Sequence, residues 1–217
     1  MSAVSDVSVI DQVATSLKGL ASVPASPLGH IGTQAPDSSV GSSALLVEKP
    51  VTGLLVLRAD SAKTALSTAL QKAVSLSLPE RLSSVEASSH CVRWMTPNEW
   101  LLSGPLEEAY ELEQSLRSQI DGPIAIVNVS GGYTLLELKG SDAINILKKS
   151  TGYDVDPAHF PPGKVVNTTF SKAQVTLRAL PDQAYELLVR RSFADYVCLW
   201  IQRAGKEYGL EVSHSQG

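Results

Sequence analysis

The sequence has few of the residues from which metal, nucleotide and covalent-catalysis sites are usually built. Of its 217 residues, two are cysteine and four are histidine, and no two histidines lie three or four positions apart. It contains no GxxxxGK[ST] phosphate loop, no GxGxxG motif after a strand and no GxSxG elbow around a serine. A metal site would need ligands gathered from distant segments. We therefore predict no catalytic, cofactor-binding or metal-binding residue in this chain.

Charge and long apolar runs are also scarce. Charged residues make up 18% of the chain, below the roughly 25% of typical globular proteins, which favours a surface that is partly covered by something else. The net charge of -4 and the lack of a lysine or arginine cluster argue against binding to nucleic acid. No apolar run approaches the roughly 20 residues that span a bilayer, and no basic segment precedes an apolar core at the N-terminus. We therefore predict no membrane contact and a cytoplasmic location.

Aromatic residues are absent before Trp94, and the segment around this residue organises the rest of the chain. Residues 91–104 consist of an apolar stretch, a Pro-Asn pair typical of a tight turn, and a second apolar stretch. Residues 175–191 repeat this pattern with a Pro-Asp pair at the turn. Both segments predict a β-hairpin, and each is followed by the periodicity of an amphipathic helix.

Two sequence correspondences indicate an internal duplication. Residues 57–61 (LRADS) correspond to residues 138–142 (LKGSD), 81 positions later. The Leu-Leu pair at 101–102 corresponds to the pair at 187–188, 86 positions later. The predicted order of elements in each unit is β-α-β-β-α. We therefore predict an α+β fold in which the duplicated units form antiparallel sheets with helices on their outer faces.

The duplication divides the chain into an arm and a domain. Residues 45–217 are predicted to form the duplicated α+β domain, with repeat one at about residues 45–122 and repeat two at about 123–212. Residues 1–44 contain ten serines and a single lysine or arginine, with a short helix pattern at 10–20. Apart from that pattern, this composition predicts an extended or partly disordered arm that an assembly could lay across a partner.

Capping residues mark the predicted helix starts. Asp60 or Ser61, Ser141 and Ser192 precede three helix patterns, and Pro105 opens a fourth in its first turn. The last helix has an apolar stripe that is predicted to face the core, and its members are Phe193, Tyr196, Val197, Trp200, Ile201 and Ala204.

Several residues of types found in functional sites have simpler structural interpretations. Cys91 and Cys198 lie in apolar patterns and are predicted to be buried thiols. Asp154 and Asp156 lie in a turn, where aspartate caps backbone amides more often than it forms a catalytic pair. The three tryptophans are interpreted as core residues (Trp94, Trp100, Trp200), and two acids as the start of a helix (Glu107, Glu108). Two arginines are interpreted as solvated or as holding a carboxylate (Arg190, Arg191). His30 is interpreted as an isolated histidine.

Six segments also carry a family resemblance over about residues 26–211. They are SPLGH (26–30), EKP with the strand ending LLVLRAD (48–60), TPNEWLL (96–102), NVSGGYTLLELKG (128–140), YDVDPAHFPPG (153–163) and YELLVRRSFADYVCLWI (185–201). Together, and in this order, they resemble the gamma subunits of heterotetrameric sarcosine oxidases. The DVDPAHFPPG turn and the YELLVRRSFADY segment are the most specific parts of the resemblance.

This resemblance implies a fold similar to the folate-binding aminomethyltransferase of the glycine cleavage system, which repeats an antiparallel α+β unit. It implies a non-catalytic subunit, inactive when isolated, that packs against alpha, beta and delta subunits. The whole enzyme oxidatively demethylates sarcosine to glycine, with tetrahydrofolate as one-carbon acceptor and oxygen as electron acceptor. FAD, FMN, NAD and tetrahydrofolate are then expected mainly in the alpha and beta subunits, and zinc in the delta subunit.

One departure from the folate enzymes agrees with a non-catalytic role. Those enzymes carry a key acid in a glycine- and aspartate-rich hairpin, whereas the hairpin here, WMTPNEWLLSG (94–104), has no aspartate. Three alternatives remain open at this point. The first is the gamma subunit of a related N-methyl amine dehydrogenase of the N-methylglutamate type. The second is a stand-alone folate-binding protein of the aminomethyltransferase type, and the third is a soluble regulatory domain that binds a small molecule between its two repeats.

Overall fold

The structure, a computed structural model, describes residues 25–31 and 41–214, apart from the side chain of His214. The predicted helix at residues 10–20 and most of the predicted arm lie outside these residues. The described part comprises the predicted duplicated domain and a short segment before it.

The apolar patterns of the described residues correspond to eleven strands and four α-helices. No helix among these residues is long and apolar enough to cross a bilayer. The strands are β1 (Leu45–Glu48), β2 (Gly53–Ala59), β3 (Ser84–Ala87), β4 (His90–Thr96), β5 (Glu99–Gly104), β6 (Ile124–Asn128), β7 (Tyr133–Lys139), β8 (Val165–Phe170), β9 (Ala173–Ala179), β10 (Ala184–Arg190) and β11 (Glu211–His214). The helices are α1 (Lys63–Val74), α2 (Ala109–Gln119), α3 (Ala143–Lys148) and α4 (Ala194–Gly205).

The strands form two sheets with equivalent strand orders. Sheet I has the order β3-β4-β5-β2-β6, and sheet II has the order β11-β1-β7-β10-β9-β8. Strands β8, β9, β10 and β7 of repeat two occupy the positions of β3, β4, β5 and β2 of repeat one. Neighbouring strands are antiparallel, except that β1 and β11 pair in parallel. The predicted α+β fold with antiparallel sheets is confirmed.

The first strand of each repeat joins the sheet of the other repeat. Strand β1 precedes the rest of repeat one but pairs with β7, with Leu46 opposite Leu138. Strand β6 leads into repeat two but pairs with β2, with Leu57 opposite Ile126. Each sheet therefore contains strands from both repeats, and neither repeat completes a sheet by itself.

Each sheet has one face toward the other sheet and one face toward helices. Leu54 and Leu101 of sheet I form an apolar cluster with Leu135 and Leu188 of sheet II. Helices α1 and α2 cover the outer face of sheet I, and α3 and α4 cover that of sheet II. The layers are helix, sheet, sheet and helix, so the helices lie on the outside as predicted.

The predicted β-α-β-β-α unit omits one strand and misaligns another. The omitted strand is β3, a four-residue edge strand whose sequence SVEA contains one large apolar residue and gives little pattern. Leu101 and Leu188 both lie between the sheets, whereas Leu187 faces the helices. Leu101 therefore corresponds to Leu188 and not to Leu187, a shift of one residue from the sequence alignment.

The predicted side-chain caps of the helices are wrong. The residues before the four helices are Ala62, Glu108, Asp142 and Phe193, and none makes a side-chain capping hydrogen bond. A backbone turn precedes each helix, and its carbonyl oxygens accept hydrogen bonds from amides of the first helical turn. For example, the amide of Ala143 donates to the carbonyl oxygen of Gly140 at 3.1 Å. Pro105 lies in such a turn, ahead of α2.

The predicted stripe of α4 is confirmed in part, since Val197 and Ile201 are fully buried and Tyr196, Trp200 and Ala204 pack against the same core. The buried residues of the helix are Ala194, Val197, Cys198, Ile201 and Gly205. Phe193 is 43% exposed, and Tyr196 and Trp200 are half-buried at the margin of the core. Packing is close at the C-terminal end of the helix, where a Cβ on Gly205 would lie 2.7 Å from that of Leu210. Ala194, Cys198 and Gly205 complete the buried face, and the large rings lie at its margin.

Candidate functional site

Charged and hydroxyl side chains lie together between the two sheets. This inter-sheet ion cluster contains Arg93 of β4, Arg178 of β9 and Glu186 of β10, each at most 8% exposed. Ionised side chains are rarely buried unless they are paired, and functional sites often use such buried charges. The cluster is therefore the first place to look for chemistry.

Arg93 joins the two repeats directly. Its Nε and Nη2 donate to Oε1 of Glu186 at 2.9 and 2.7 Å. Its Nη1 donates to the hydroxyl oxygen of Ser103 at 2.7 Å, and that hydroxyl donates to the carbonyl oxygen of Cys91 at 3.4 Å. Every nitrogen of the Arg93 guanidinium group therefore has a partner inside the cluster.

Arg178 makes the reciprocal connection from repeat two to repeat one. Its Nε donates to the hydroxyl oxygen of Ser84 at 2.9 Å, and its Nη2 donates to the carboxylate of Glu86 on β3. Its Nη1 lies 3.8 Å from Oε1 of Glu186. Two arginines and two glutamates thus balance each other in charge, with Glu186 shared between the arginines.

The electrostatics of the cluster keep the arginine charged and the neighbouring thiol neutral. Burial is the largest single influence on the pKa of Arg93 and lowers it, but the attraction and hydrogen bonds of Glu186, together with Cys91 and Glu86, outweigh burial, so the pKa is raised. Burial raises the pKa of Cys91, although Arg93 and Arg178 oppose this effect. A protonated thiol is a poor nucleophile, and satisfied guanidinium donors are not available to a ligand. The cluster therefore connects the repeats and offers no reacting group.

The three tryptophans lie in the core, as predicted. Trp94 and Trp100 face each other across β4 and β5, and both pack in the core between sheet I and its helices. Trp200 packs at the margin of the sheet II core, and its Nε1 donates to the hydroxyl oxygen of Ser150 at 3.0 Å. Their rings stabilise the two helix-facing cores.

The aspartates of the turn at residues 153–163 cap backbone amides, as predicted. Asp154 accepts from the amide of Asp156 at 3.1 Å, and Asp156 accepts from the amide of Ala158 at 3.0 Å. Asp154 also lies 2.6 Å from Nδ1 of His159. The hydrogen bond from the Asp156 amide, followed by that from His159, lowers the pKa of Asp154. Asp154 and Asp156 shape the turn and do not form an acid–base pair.

Other polar candidates also have partners within the chain. Glu107 and Glu108 lie in the turn before α2, and the Glu108 carboxylate is 3.3 Å from Nε2 of His90. The Arg190 guanidinium group lies over the ring of Tyr133, 5.3 Å from its centroid. The structure does not bring the two glutamates and Arg190 together into one site.

The segment 25–31 is fixed beside the start of α4. Arg191 donates to the carbonyl oxygen of Ala25 at 2.8 Å, and Nε2 of His30 lies 3.0 Å from Oδ1 of Asp195. His30 thus pairs with a carboxylate at the surface. Among the residues that the structure describes, no three histidine, cysteine, aspartate or glutamate side chains form a group that could hold a metal ion.

Both cysteines are buried free thiols, as predicted. Cys198 lies on the face of α4 that packs against sheet II. Burial raises the pKa of its thiol to about 12, with smaller contributions from Asp195 and Glu48. At neutral pH this thiol is therefore protonated.

The inter-sheet ion cluster is not among the features predicted from the sequence, although the sequence contains a signal for it. Arg93, Arg178 and Glu186 each interrupt a strand with apolar residues on both sides, in CVRWM, VTLRA and YELLV. Such a charge is exposed in a sheet with one open face and buried in a sheet covered on both faces. The packing of the two sheets decides between these outcomes, and a single sequence does not show it.

The chain is similar to one protein family and to individual relatives. The sequence matches the model of the sarcosine oxidase, gamma subunit family over residues 58–207. The sarcosine oxidase subunit gamma of Corynebacterium sp. (strain P-1) is 28% identical over 193 residues, which cover 88% of this chain and 94% of the relative. The sarcosine oxidase subunit gamma of Corynebacterium sp. (strain U-96) is 28% identical over 188 residues, which cover 84% of this chain and 90% of the relative.

Two solved structures are similar in fold. One is a chain of the heterotetrameric sarcosine oxidase from Corynebacterium sp. U-96 in complex with pyrrole 2-carboxylate. Its TM-score is 0.74 at 25% identity, and the match covers 85% of this chain and 96% of that chain. The other is the glycine cleavage system aminomethyltransferase T from Bartonella henselae, with a TM-score of 0.62 at 13% identity. This match covers 79% of this chain and 48% of the transferase. The second likeness concerns the fold alone, and it agrees with the predicted aminomethyltransferase-like architecture.

Proposed function

This chain belongs to the sarcosine oxidase, gamma subunit family, and we propose that it is the gamma subunit of a heterotetrameric sarcosine oxidase, where it supports assembly and not chemistry. The observation that carries this proposal is the extent of the structural match. Almost the whole chain in the Corynebacterium oxidase, 96%, has a counterpart here. A match of this extent favours the same place in the same kind of assembly.

In the proposed complex, the N-methyl group of sarcosine is oxidised and glycine is released. Tetrahydrofolate accepts the one-carbon unit and oxygen accepts the electrons. We assign the alpha, beta and delta subunits as partners of this chain. We also assign FAD, FMN, NAD and tetrahydrofolate to the alpha and beta subunits, and zinc to the delta subunit.

The side chains of this subunit support a role outside the chemistry. The inter-sheet ion cluster uses the guanidinium nitrogens of Arg93 and Arg178 for internal partners. Burial raises the pKa of both cysteine thiols. Groups of these kinds hold a structure together more readily than they bind or attack a substrate.

The aminomethyltransferase likeness does not favour a stand-alone folate enzyme. The chain spans about half of the Bartonella transferase, since the match covers 48% of that protein. At 13% identity this likeness shows a shared fold and carries no activity over to this chain.

Expression of the complex with and without this chain tests the proposal. We expect the full set of subunits to give a flavin-containing assembly that consumes oxygen with sarcosine, and the chain alone to give no activity. N-methylglutamate serves as the alternative substrate. Preferential turnover of N-methylglutamate, or sarcosine oxidation by the isolated chain, would contradict the proposal.

A further inference from the structure

An aromatic groove lies on the solvent-facing side of α4. Tyr196, Leu199, Trp200 and Arg203 line a depression of about 250 Å³. Leu199 is 48% exposed, and Phe193, just before the helix, is 43% exposed. The helix thus carries exposed apolar side chains in addition to those that face the core. Exposed apolar surface that is gathered in a groove favours association with a partner.

The walls of the groove are fixed in place by hydrogen bonds. The hydroxyl of Tyr196 lies 2.7 Å from that of Ser171, and Nε1 of Trp200 donates to Ser150 at 3.0 Å. The polar atoms of both rings are therefore satisfied inside the chain, and the rings present mainly apolar surface. A partner that binds here would lose little free energy to ordering these side chains.

A positive charge borders the groove. Among the described residues, Arg203 forms no ion pair or hydrogen bond, whereas Arg93, Arg117 and Arg178 all do. Lys172 follows Ser171 in the turn between β8 and β9. An apolar floor beside an unpaired cation is complementary to an apolar side chain flanked by a carboxylate.

We propose that this groove docks an acidic segment of a larger subunit of the oxidase. An apolar side chain of that segment enters the groove between Tyr196, Leu199 and Trp200, and a neighbouring carboxylate pairs with Arg203. Tyrosine, tryptophan and arginine are the residues that most often dominate the binding energy of interfaces. The inference rests on the proposed function, because it takes its partner from the oxidase complex.

Photo-cross-linking in the assembled complex identifies the occupant of the groove. Benzoylphenylalanine replaces Leu199, and in a control variant it replaces Tyr110, which is 42% exposed on α2. We expect position 199 to cross-link to a larger subunit, within a segment that has aspartate or glutamate beside an apolar residue, and position 110 to give much less of this product. Cross-linking of position 199 to residues 1–24 of this chain, or to a second copy of it, would overturn the proposal.

Substitutions then measure the contribution of the groove. We expect L199D and R203E each to weaken assembly by about tenfold or more while leaving the thermal unfolding of the chain unchanged. Y110D and K72E are the matched controls, and we expect them to assemble like the unsubstituted chain. Normal assembly of both L199D and R203E would overturn the docking site and leave the proposed function standing. Failure of the unsubstituted chain to join the complex would overturn both.

Discussion

Arg93 of sheet I and Glu186 of sheet II form an ion pair in which two guanidinium nitrogens, at 2.9 and 2.7 Å, share one carboxylate oxygen. The pair connects the two repeats at a site closed to water, where an unpaired charge is much less stable than at the surface. Arg178 makes the complementary connection to Glu86. The placement of the two sheets therefore depends on ion pairs as well as on the leucines between them.

Removal of Glu186 should destabilise the fold strongly. We expect E186A to lower the free energy of unfolding by about 3–5 kcal/mol, because it leaves the buried Arg93 charge without its carboxylate. Urea unfolding measures the change. E207A, which removes a surface partner of Lys149, should lower it by less than about 1 kcal/mol. Equal effects of the two substitutions would show that the buried pair is not important for stability.

Gly140 should not tolerate a side chain. Its φ is +115°, and an added Cβ would lie 2.3 Å from the carbonyl oxygen of Ser43, just before β1. We expect G140A to lower the free energy of unfolding by more than about 1 kcal/mol, since both the backbone angle and the contact are unfavourable. G131A is the control, because a Cβ there has nothing within 4 Å. Calorimetry that finds the same melting temperature for both variants would refute this account.

Asp154 should contribute to the acid sensitivity of the fold. Its pKa is lowered by the hydrogen bonds from the Asp156 amide and from His159. A carboxyl with a lower pKa in the folded state stabilises the fold above its unfolded pKa, and this contribution is lost as the pH falls through the folded pKa. We expect the stability of D154N to fall less steeply than that of the unsubstituted chain below about pH 4. If the unfolding midpoints of D154N and the unsubstituted chain fall in parallel as the pH is lowered, Asp154 makes no such contribution.

Cys198 should be unreactive in the folded chain. Its thiol is buried and its pKa is raised to about 12, so almost no thiolate exists at pH 8. We expect a thiol reagent to modify neither cysteine in the folded chain and to modify both in denaturant, where they are exposed. Rapid modification of Cys198 without denaturant would mean that α4 opens readily or that the thiol is accessible.

The duplication and the antiparallel hairpins could be predicted because their signals are local. The Pro-Asn and Pro-Asp turns, the alternating strands and the amphipathic helices each lie within a short stretch of sequence. The exchange of β1 and β6 could not be predicted, because the partner of a strand is set by contacts far away in the chain. The pairing of Leu46 with Leu138 leaves no local trace.

The predictions about individual side chains were incomplete for a related reason. Periodicity identified α4 as amphipathic and placed Val197 and Ile201 in the core, but Phe193 lies in the turn before the helix and is exposed. The charges of Arg93 and Glu186 were visible in the sequence, yet their burial depends on the second sheet. Tertiary packing thus decides the features that matter most for the ion cluster and for the groove.

Native mass spectrometry of a tagged chain purified from its own host, together with the absorbance spectrum of the eluate, shows whether this chain is a subunit of a sarcosine oxidase. We expect an assembly of four different polypeptides, one of them this 23.1 kDa chain, with flavin absorbance and turnover of sarcosine. A colourless monomer that binds tetrahydrofolate would instead identify a stand-alone folate protein and would overturn the proposed function.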